Sequence, residues 1–238
     1  MPEDRGFRAA RMMGIVALIG GDEFRPNCVP MDEALLRLTR RGTPRVVIVP
    51  TAAAHQGPHT AAENGMRYFA SLGADADVAM VLTRADADDP RQTERLADAD
   101  VVYLTGGDPR HLLDTLQHSA FWDAVAGVFG RGGMVAGSSA GAMALGGWMR
   151  RGHAEWVPAL GLAPHVAVLP HHEHAAPANV APLRAALDAS IVILGIPTAT
   201  ACVSENGNGW QVLGMSAASV YRQHDTAAFP PGRAFRLS

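Results

Sequence analysis

Ser139 is the residue of this chain best suited to covalent chemistry. It lies in Met134-Val135-Ala136-Gly137-Ser138-Ser139-Ala140-Gly141-Ala142, where small apolar residues lead into two serines and small residues continue into Met143-Ala144-Leu145. The pattern reads as a strand, a turn of almost no length, and a helix. So tight a turn strains the backbone at its apex and leaves no room for neighbouring Cβ atoms, which suits Gly137, Ala140 and Gly141 as flanks. A hydroxyl at the apex stands clear of the sheet as a nucleophile. The next amide, that of Ala140, points from the helix start at any negative charge the attack creates. A second turn, Thr105-Gly106-Gly107-Asp108-Pro109, closes the apolar run Val101-Val102-Tyr103-Leu104. Should the two loops face each other, the amides of Gly107 and Ala140 make an oxyanion hole. His165, His171, His172, Glu173 and His174 crowd a third segment. Imidazole and carboxylate are the usual zinc donors, but the spacing is not His-Glu-x-x-His and no helix is evident there. Solvated loop histidines are the simpler reading, and neither a metal nor a cofactor is expected.

The elements that must hold these residues follow from apolar patterning. Ile15-Val16-Ala17-Leu18-Ile19, Val46-Val47-Ile48-Val49, Val78 to Leu82 and Val101 to Leu104 read as strands buried on both faces. Helical stretches are expected over Asp32 to Arg40, Thr60 to Leu72 with Gly73 as its cap, Pro90 to Ala97, Arg110 to Gln117 and Phe121 to Phe129. Strands alternating with helices at this rhythm argue for βαβ units and one mainly parallel, doubly wound α/β sheet. In such sheets the chemistry sits beyond the carboxyl ends of the strands, where both glycine-rich turns fall. Trp148 to Pro164 lacks a clear period and reads as a surface excursion. His165 to Leu169, Ile191 to Ile196 and Ala201 to Val203 read as strands, and Pro182 to Ala189 as a helix. Asn206-Gly207-Asn208-Gly209 is a hairpin turn leading to a strand from Trp210 to Leu213. Ser219 to Arg222 reads as a last edge strand, and the tail from Asp225 as irregular.

The chain has 238 residues, of which 48% are hydrophobic and 18% charged, enough for one sizeable core; a single domain over 1–238 is expected. The net charge is only -3 and no Lys/Arg block occurs, which argues against nucleic acid and anionic membranes as partners. Met1 to Gly14 has no apolar core and is not read as a secretory signal. Cys28 and Cys202 form no disulfide framework, so a reducing cytoplasm is the expected compartment.

Gly137-Ser138-Ser139-Ala140-Gly141-Ala142 resembles the nucleophile motif of the serine peptidases that include aspartyl dipeptidase (peptidase E) and cyanophycinase. The resemblance extends over most of the chain. Leu18-Ile19-Gly20-Gly21-Asp22-Glu23 is similar to the family's opening glycine-rich turn, and Val49-Pro50-Thr51-Ala52 to its second strand end. Ala99-Asp100 with Thr105-Gly106-Gly107-Asp108 resembles the segment that supplies one oxyanion amide. Leu162 to His171 resembles the stretch carrying the catalytic histidine. The resemblance implies a class I glutamine amidotransferase-like fold and an acyl-enzyme on Ser139, with His171 as general base. It also implies a small peptide or isopeptide substrate, and a homodimer is an assembly open to such a protein.

One departure bears on mechanism. The family's acidic triad member lies in a Gly-Ile-Asp-Glu-like segment, which here reads Gly195-Ile196-Pro197-Thr198-Ala199, so Thr198 stands at the acid position. A threonine can accept a hydrogen bond but cannot offset imidazolium charge. Glu173, close to His171 in sequence, is one replacement, with Asp188 and Glu205 as further options. Pro170 before His171 is closer to peptidase E, and Asp108-Pro109 also departs from cyanophycinase. Two alternatives stand beside the peptidase. One is a member of the same fold that binds an amino-acid derivative without catalysis. The other is an α/β-hydrolase-type esterase using Ser139, Asp188 and His224 in that chain order, although the His-Gly-Gly-type oxyanion loop of that fold is missing.

Overall fold

The computed structural model describes residues 14–152, 155–173, 177–205, 207 and 209–237. In chain order its first half comprises β1 (Ile15–Ile19), α1 (Val29–Leu38), β2 (Arg45–Val49), α2 (Pro58–Ser71), β3 (Asp75–Val78), α3 (Arg84–Ala87), α4 (Pro90–Glu94), β4 (Val101–Leu104), α5 (Pro109–Leu116), α6 (Ala120–Gly130), β5 (Met134–Ser138) and α7 (Ala140–Leu145). Then follow β6 (Gly146–Arg151), β7 (Glu155–Pro158), β8 (Ala163–Pro170), α8 (Pro177–Ala185), β9 (Val192–Ile196), β10 (Thr200–Ser204), β11 (Gly209–Gly214), β12 (Ala218–Tyr221), β13 (Thr226–Phe229) and β14 (Ala234–Arg236).

The expected α/β sheet is present and a second sheet joins it. The first has eight strands in the order β14-β11-β10-β1-β5-β4-β2-β3. From β1 to β3 its neighbours run parallel, while β10 and β11 close the other side as the expected antiparallel hairpin. The second sheet has six strands in the order β13-β12-β9-β8-β6-β7. Its centre, β6-β8-β9, is parallel.

The strand side chains alternate between two cores. Ile15, Ala17 and Ile19 face α1 and α2, packing with Met31, Leu35 and Phe69. Val16 and Leu18 face the opposite way, with Leu112 and Leu116 of α5 and Phe121 and Val125 of α6. Val166, Val168, Leu194, Ile196 and Val220 of the second sheet belong to that same core. The two sheets therefore share one apolar layer. A third, smaller cluster, with Ile193 and Tyr221, covers the outer face of the second sheet together with Val180 of α8. Among the described residues no helix is long and apolar enough to cross a membrane.

Several expectations need correcting. The third strand is Asp75–Val78, not Val78 to Leu82. It is an edge strand whose Asp75 and Asp77 pair with Arg45 on β2, so charge pairing rather than apolar patterning marks it. Ala79 and Val81 are buried just beyond its end. Trp148 to Pro164 is not an excursion but contributes β6, β7 and the start of β8; the alternation is weak because β6 is only partly covered. Pro182 lies inside α8 rather than opening a helix. Ser219 to Arg222 is not at an edge, because the tail beyond Asp225 forms β13 alongside it, and β14 extends the first sheet.

The shared core predicts the cost of damaging it. Leu194 is fully buried between the sheets. Leu194→Ala is expected to lower the free energy of unfolding by about 2–5 kcal/mol, read as a drop in the urea midpoint at unchanged slope.

Candidate active site

Residues 19–21 at the end of β1 organise the site. Ser139 follows β5 directly, in register with Ile19 through the parallel pair Ile19↔Ser138. Its amide donates to the Ile19 carbonyl at 2.9 Å. The next carbonyl, Gly20, accepts from the His171 amide at 3.0 Å, and the third, Gly21, accepts from the Ala199 amide at 3.2 Å. His171 leaves the end of β8, and Ala199 sits between β9 and β10. One strand end thus collects three chain segments that are remote in sequence.

Only glycine fits there. A Cβ on Gly20 would lie 2.0 Å from the Pro197 carbonyl oxygen, and one on Gly21, at φ +136°, would lie 2.3 Å from Cε1 of His171. The same reasoning explains the turn at Ser139. Ser139 takes φ 49°, ψ -105°, a strained conformation for a residue with a side chain. A Cβ on Gly137 would meet Gly141 at 2.5 Å, and one on Gly141 would meet the Leu104 carbonyl oxygen at 2.5 Å. His171 and Ala199 also have positive φ, 52° and 49°.

These constraints bring Ser139 Oγ to 2.9 Å from Nε2 of His171. The serine is half-buried and the histidine exposed. Among the described residues Nδ1 of His171 has no hydrogen-bond partner. Glu173 instead reaches the position where the resemblance expects an acid: its Oε1 accepts from the Thr198 amide at 2.5 Å. Partial desolvation works to raise the Glu173 pKa. Hydrogen bonds from the Thr198 amide and hydroxyl, with His171 nearby, outweigh it and hold the carboxyl below its ordinary value. Asp188 and Glu205 are engaged elsewhere, with Ser190 and Arg40. The esterase order is not assembled, since Ser139 bonds His171 and His224 lies in the turn between β12 and β13.

The two oxyanion candidates lie at neighbouring strand ends, because β4 and β5 pair in parallel with Leu104 opposite Gly137. Ala140 opens α7, so its amide has no acceptor within the helix. Gly107, at φ +139°, packs so tightly on Ala52 that a Cβ would lie 2.2 Å from the Ala52 carbonyl oxygen.

Sequence reasoning passed over Glu23 as a functional residue. One carboxylate oxygen accepts from the Gly106 amide at 2.8 Å and the other from the Ser138 hydroxyl at 2.7 Å. The available signal is an Asp-Glu pair straight after the Gly20-Gly21 that follows β1.

The crowded histidines do not converge. His165 is exposed on β8. His172 is buried, with Nε2 2.8 Å from the Tyr221 hydroxyl and its ring where a Cβ on Gly195 would be. His174 lies outside the described residues. Among the described residues no group of three or more His, Cys, Asp or Glu side chains is arranged to hold a metal. A cleft of about 790 Å³ opens beside Glu23, lined by Asp22, Phe24, Arg25, Asn64 and Arg67. Another of about 340 Å³ opens beside Pro170 and Met143, lined by Arg110 and Arg150.

Beneath the first cleft, Asp32 is almost fully buried and accepts from the Tyr68 hydroxyl at 2.7 Å. Burial pushes its carboxyl up to about 7; the Tyr68 bond opposes this and Glu23 adds to it. The folded chain then holds a proton on Asp32 that the unfolded chain, with an ordinary pKa of ~3.9, has released. Asp32 therefore subtracts stability as pH rises from about 4 to 7. Asp32→Asn removes that dependence, so its urea midpoint relative to wild type should rise between about pH 4 and pH 7 and level off above.

The profile of peptidase family S51 matches residues 16–208. The crystal structure of a peptidase from an acI-B1 actinobacterium is similar at 25% identity and a TM-score of 0.84, over 95% of this chain and 98% of that one. A peptidase E-like protein of Listeria monocytogenes EGD-e is similar at 18% identity and a TM-score of 0.56, over 92% and 98% of the two chains, a likeness of fold. Among curated proteins none matches significantly.

Proposed function

Since the chain belongs to peptidase family S51, whose members are serine peptidases, we propose that it hydrolyses a small peptide or isopeptide through an acyl-enzyme on Ser139. The observation that carries this reading is the 2.9 Å hydrogen bond between Ser139 Oγ and His171 Nε2. Oγ attacks the scissile carbonyl carbon while His171 takes its proton. The carbonyl oxygen becomes an oxyanion held by the amides of Gly107 and Ala140. The C–N bond then breaks, and His171 returns the proton to the departing amine. Water, deprotonated by the same imidazole, releases the acid product and restores the serine. The clefts beside Glu23 and beside Pro170 offer space for substrate.

Glu173 supplies the negative charge. It touches Thr198 rather than His171 Nδ1, so it stabilises the imidazolium through space and does not select the tautomer. In a hydrolase whose acid holds the imidazole directly, removing the charge costs about 10⁴ in turnover. Here Glu173→Gln is expected to cost only about 10-fold.

The test is labelling by a fluorophosphonate followed by mapping of the adduct. Wild type should be labelled at Ser139. Ser139→Ala should not be labelled, His171→Ala should react at least about 100-fold more slowly, and His165→Ala should react like wild type. Labelling that survives Ser139→Ala, or is absent from wild type, overturns the mechanism and favours a non-catalytic binding role.

A further inference from the structure

We propose that Glu23 is a positioning residue that sets the width of the oxyanion hole, by tying the loop after β4 to the loop after β5. The inference rests on the reading of Gly107 and Ala140 as oxyanion donors. Its own support is geometric. Gly106 precedes one donor and Ser138 lies two residues before the other. The Glu23 carboxylate takes one hydrogen bond from each, at 2.8 Å and 2.7 Å. The bridge is packed closely: a Cβ on Gly106 would lie 2.7 Å from Glu23 Oε1. The Glu23 bond fixes the Thr105–Gly106 peptide plane, and the 2.7 Å bond from the Asp108 amide to the Ala52 carbonyl fixes the Gly107–Asp108 plane, so the plane between them, which carries the Gly107 N–H, is held from both sides.

The turn carrying Glu23 is built to hold it there. Gly21, Asp22 and Phe24 all have positive φ, 136°, 65° and 65°. This winding turns the Glu23 side chain back over the strand ends. Phe24 anchors the turn among Tyr68, Phe69 and Tyr103, with ring centroids 5.4–6.0 Å away. The Asp22 carbonyl accepts from the Arg25 amide at 3.2 Å and from the Cys28 thiol at 3.1 Å. Nothing in this arrangement places Glu23 on the reacting atoms. It acts through the two loops.

The chemistry of the bridge separates shape from charge. A glutamine at position 23 can still span it, its carbonyl accepting from Gly106 and its amide donating to a rotated Ser138 hydroxyl. An alanine cannot. Loss of one oxyanion donor costs about 10²–10³ in rate, and misalignment of a donor that remains costs less.

The experiment measures the second-order rate constant for labelling by a fluorophosphonate, whose phosphoryl oxygen occupies the oxyanion hole during attack. End-point stoichiometry and melting temperature are recorded for each variant. Glu23→Ala should label about 10–100-fold more slowly, with full stoichiometry at completion. Glu23→Gln should recover most of that rate, and Ser138→Ala should fall between. Glu23→Ala/Ser138→Ala should be no slower than Glu23→Ala alone. Should Glu23→Ala fail to fold, Ser138→Ala against Glu23→Gln carries the comparison, and a Glu23→Gln slower than Ser138→Ala overturns the bridge. A Glu23→Ala variant that folds and labels at the wild-type rate, or equal losses in Glu23→Ala and Glu23→Gln, also overturns it while leaving Ser139 as nucleophile. A wild type that is not labelled overturns the hydrolytic mechanism and the bridge with it.

Discussion

Three successive carbonyls, those of Ile19, Gly20 and Gly21, are the constraint on which the site depends. Each accepts one amide, from Ser139, His171 and Ala199 in turn. A backbone carbonyl does not change rotamer, so the backbones of Ser139 and His171 are both tied to one strand end. The arrangement demands close approach, which is why the two glycines cannot carry a Cβ. It also places strained φ values on Ser139, His171 and Ala199. Such strain costs on the order of 1–3 kcal/mol per residue and persists only where surrounding bonds over-determine it. Here they do, because each strained residue either donates directly to the hub or follows one of its tightly paired strands.

The electrostatics of the site are divided rather than concentrated. Glu173 carries negative charge to the place where Thr198 stands, but it spends its hydrogen bond on the Thr198 backbone. Glu23 uses both oxygens on the scaffold around the proposed oxyanion hole. Asp32, below them, is buried enough that burial favours its neutral form. Asp32 and Glu173 are shifted in opposite directions because they differ in solvent access and in the donors around them.

Much of this was legible in the sequence. The turn at Ser139 announces itself through Gly137, Ala140 and Gly141, because small residues there have a steric cause. The parallel strands β1, β2, β4 and β5 show as unbroken apolar runs, because they are buried on both faces. Of the second sheet, β8, β9 and β12 were legible and the other strands were hidden. Its β6 and β7 are partly exposed and carry no clean period, and its β13, like β14 at the edge of the first sheet, is only three or four residues long. The edge strand β3 was misplaced because Asp75 and Asp77 look like loop residues until Arg45 is set beside them. Glu23 was hidden for another reason. Its partners lie 83 and 115 residues away, and no local pattern encodes a contact of that span.

Ser139 leaves the end of a strand in one sheet, and His171 leaves the end of a strand in the other. Their hydrogen bond is therefore a gauge of how the sheets are stacked. The apolar layer containing Leu18, Val168 and Leu194 acts as the spacer of that gauge. Adding or removing a methyl group in the layer changes more than stability, because it shifts the two sheets that present Ser139 and His171 to each other. Repacking chosen only to raise the melting point would change the Ser139–His171 hydrogen bond from a distance, without altering either residue.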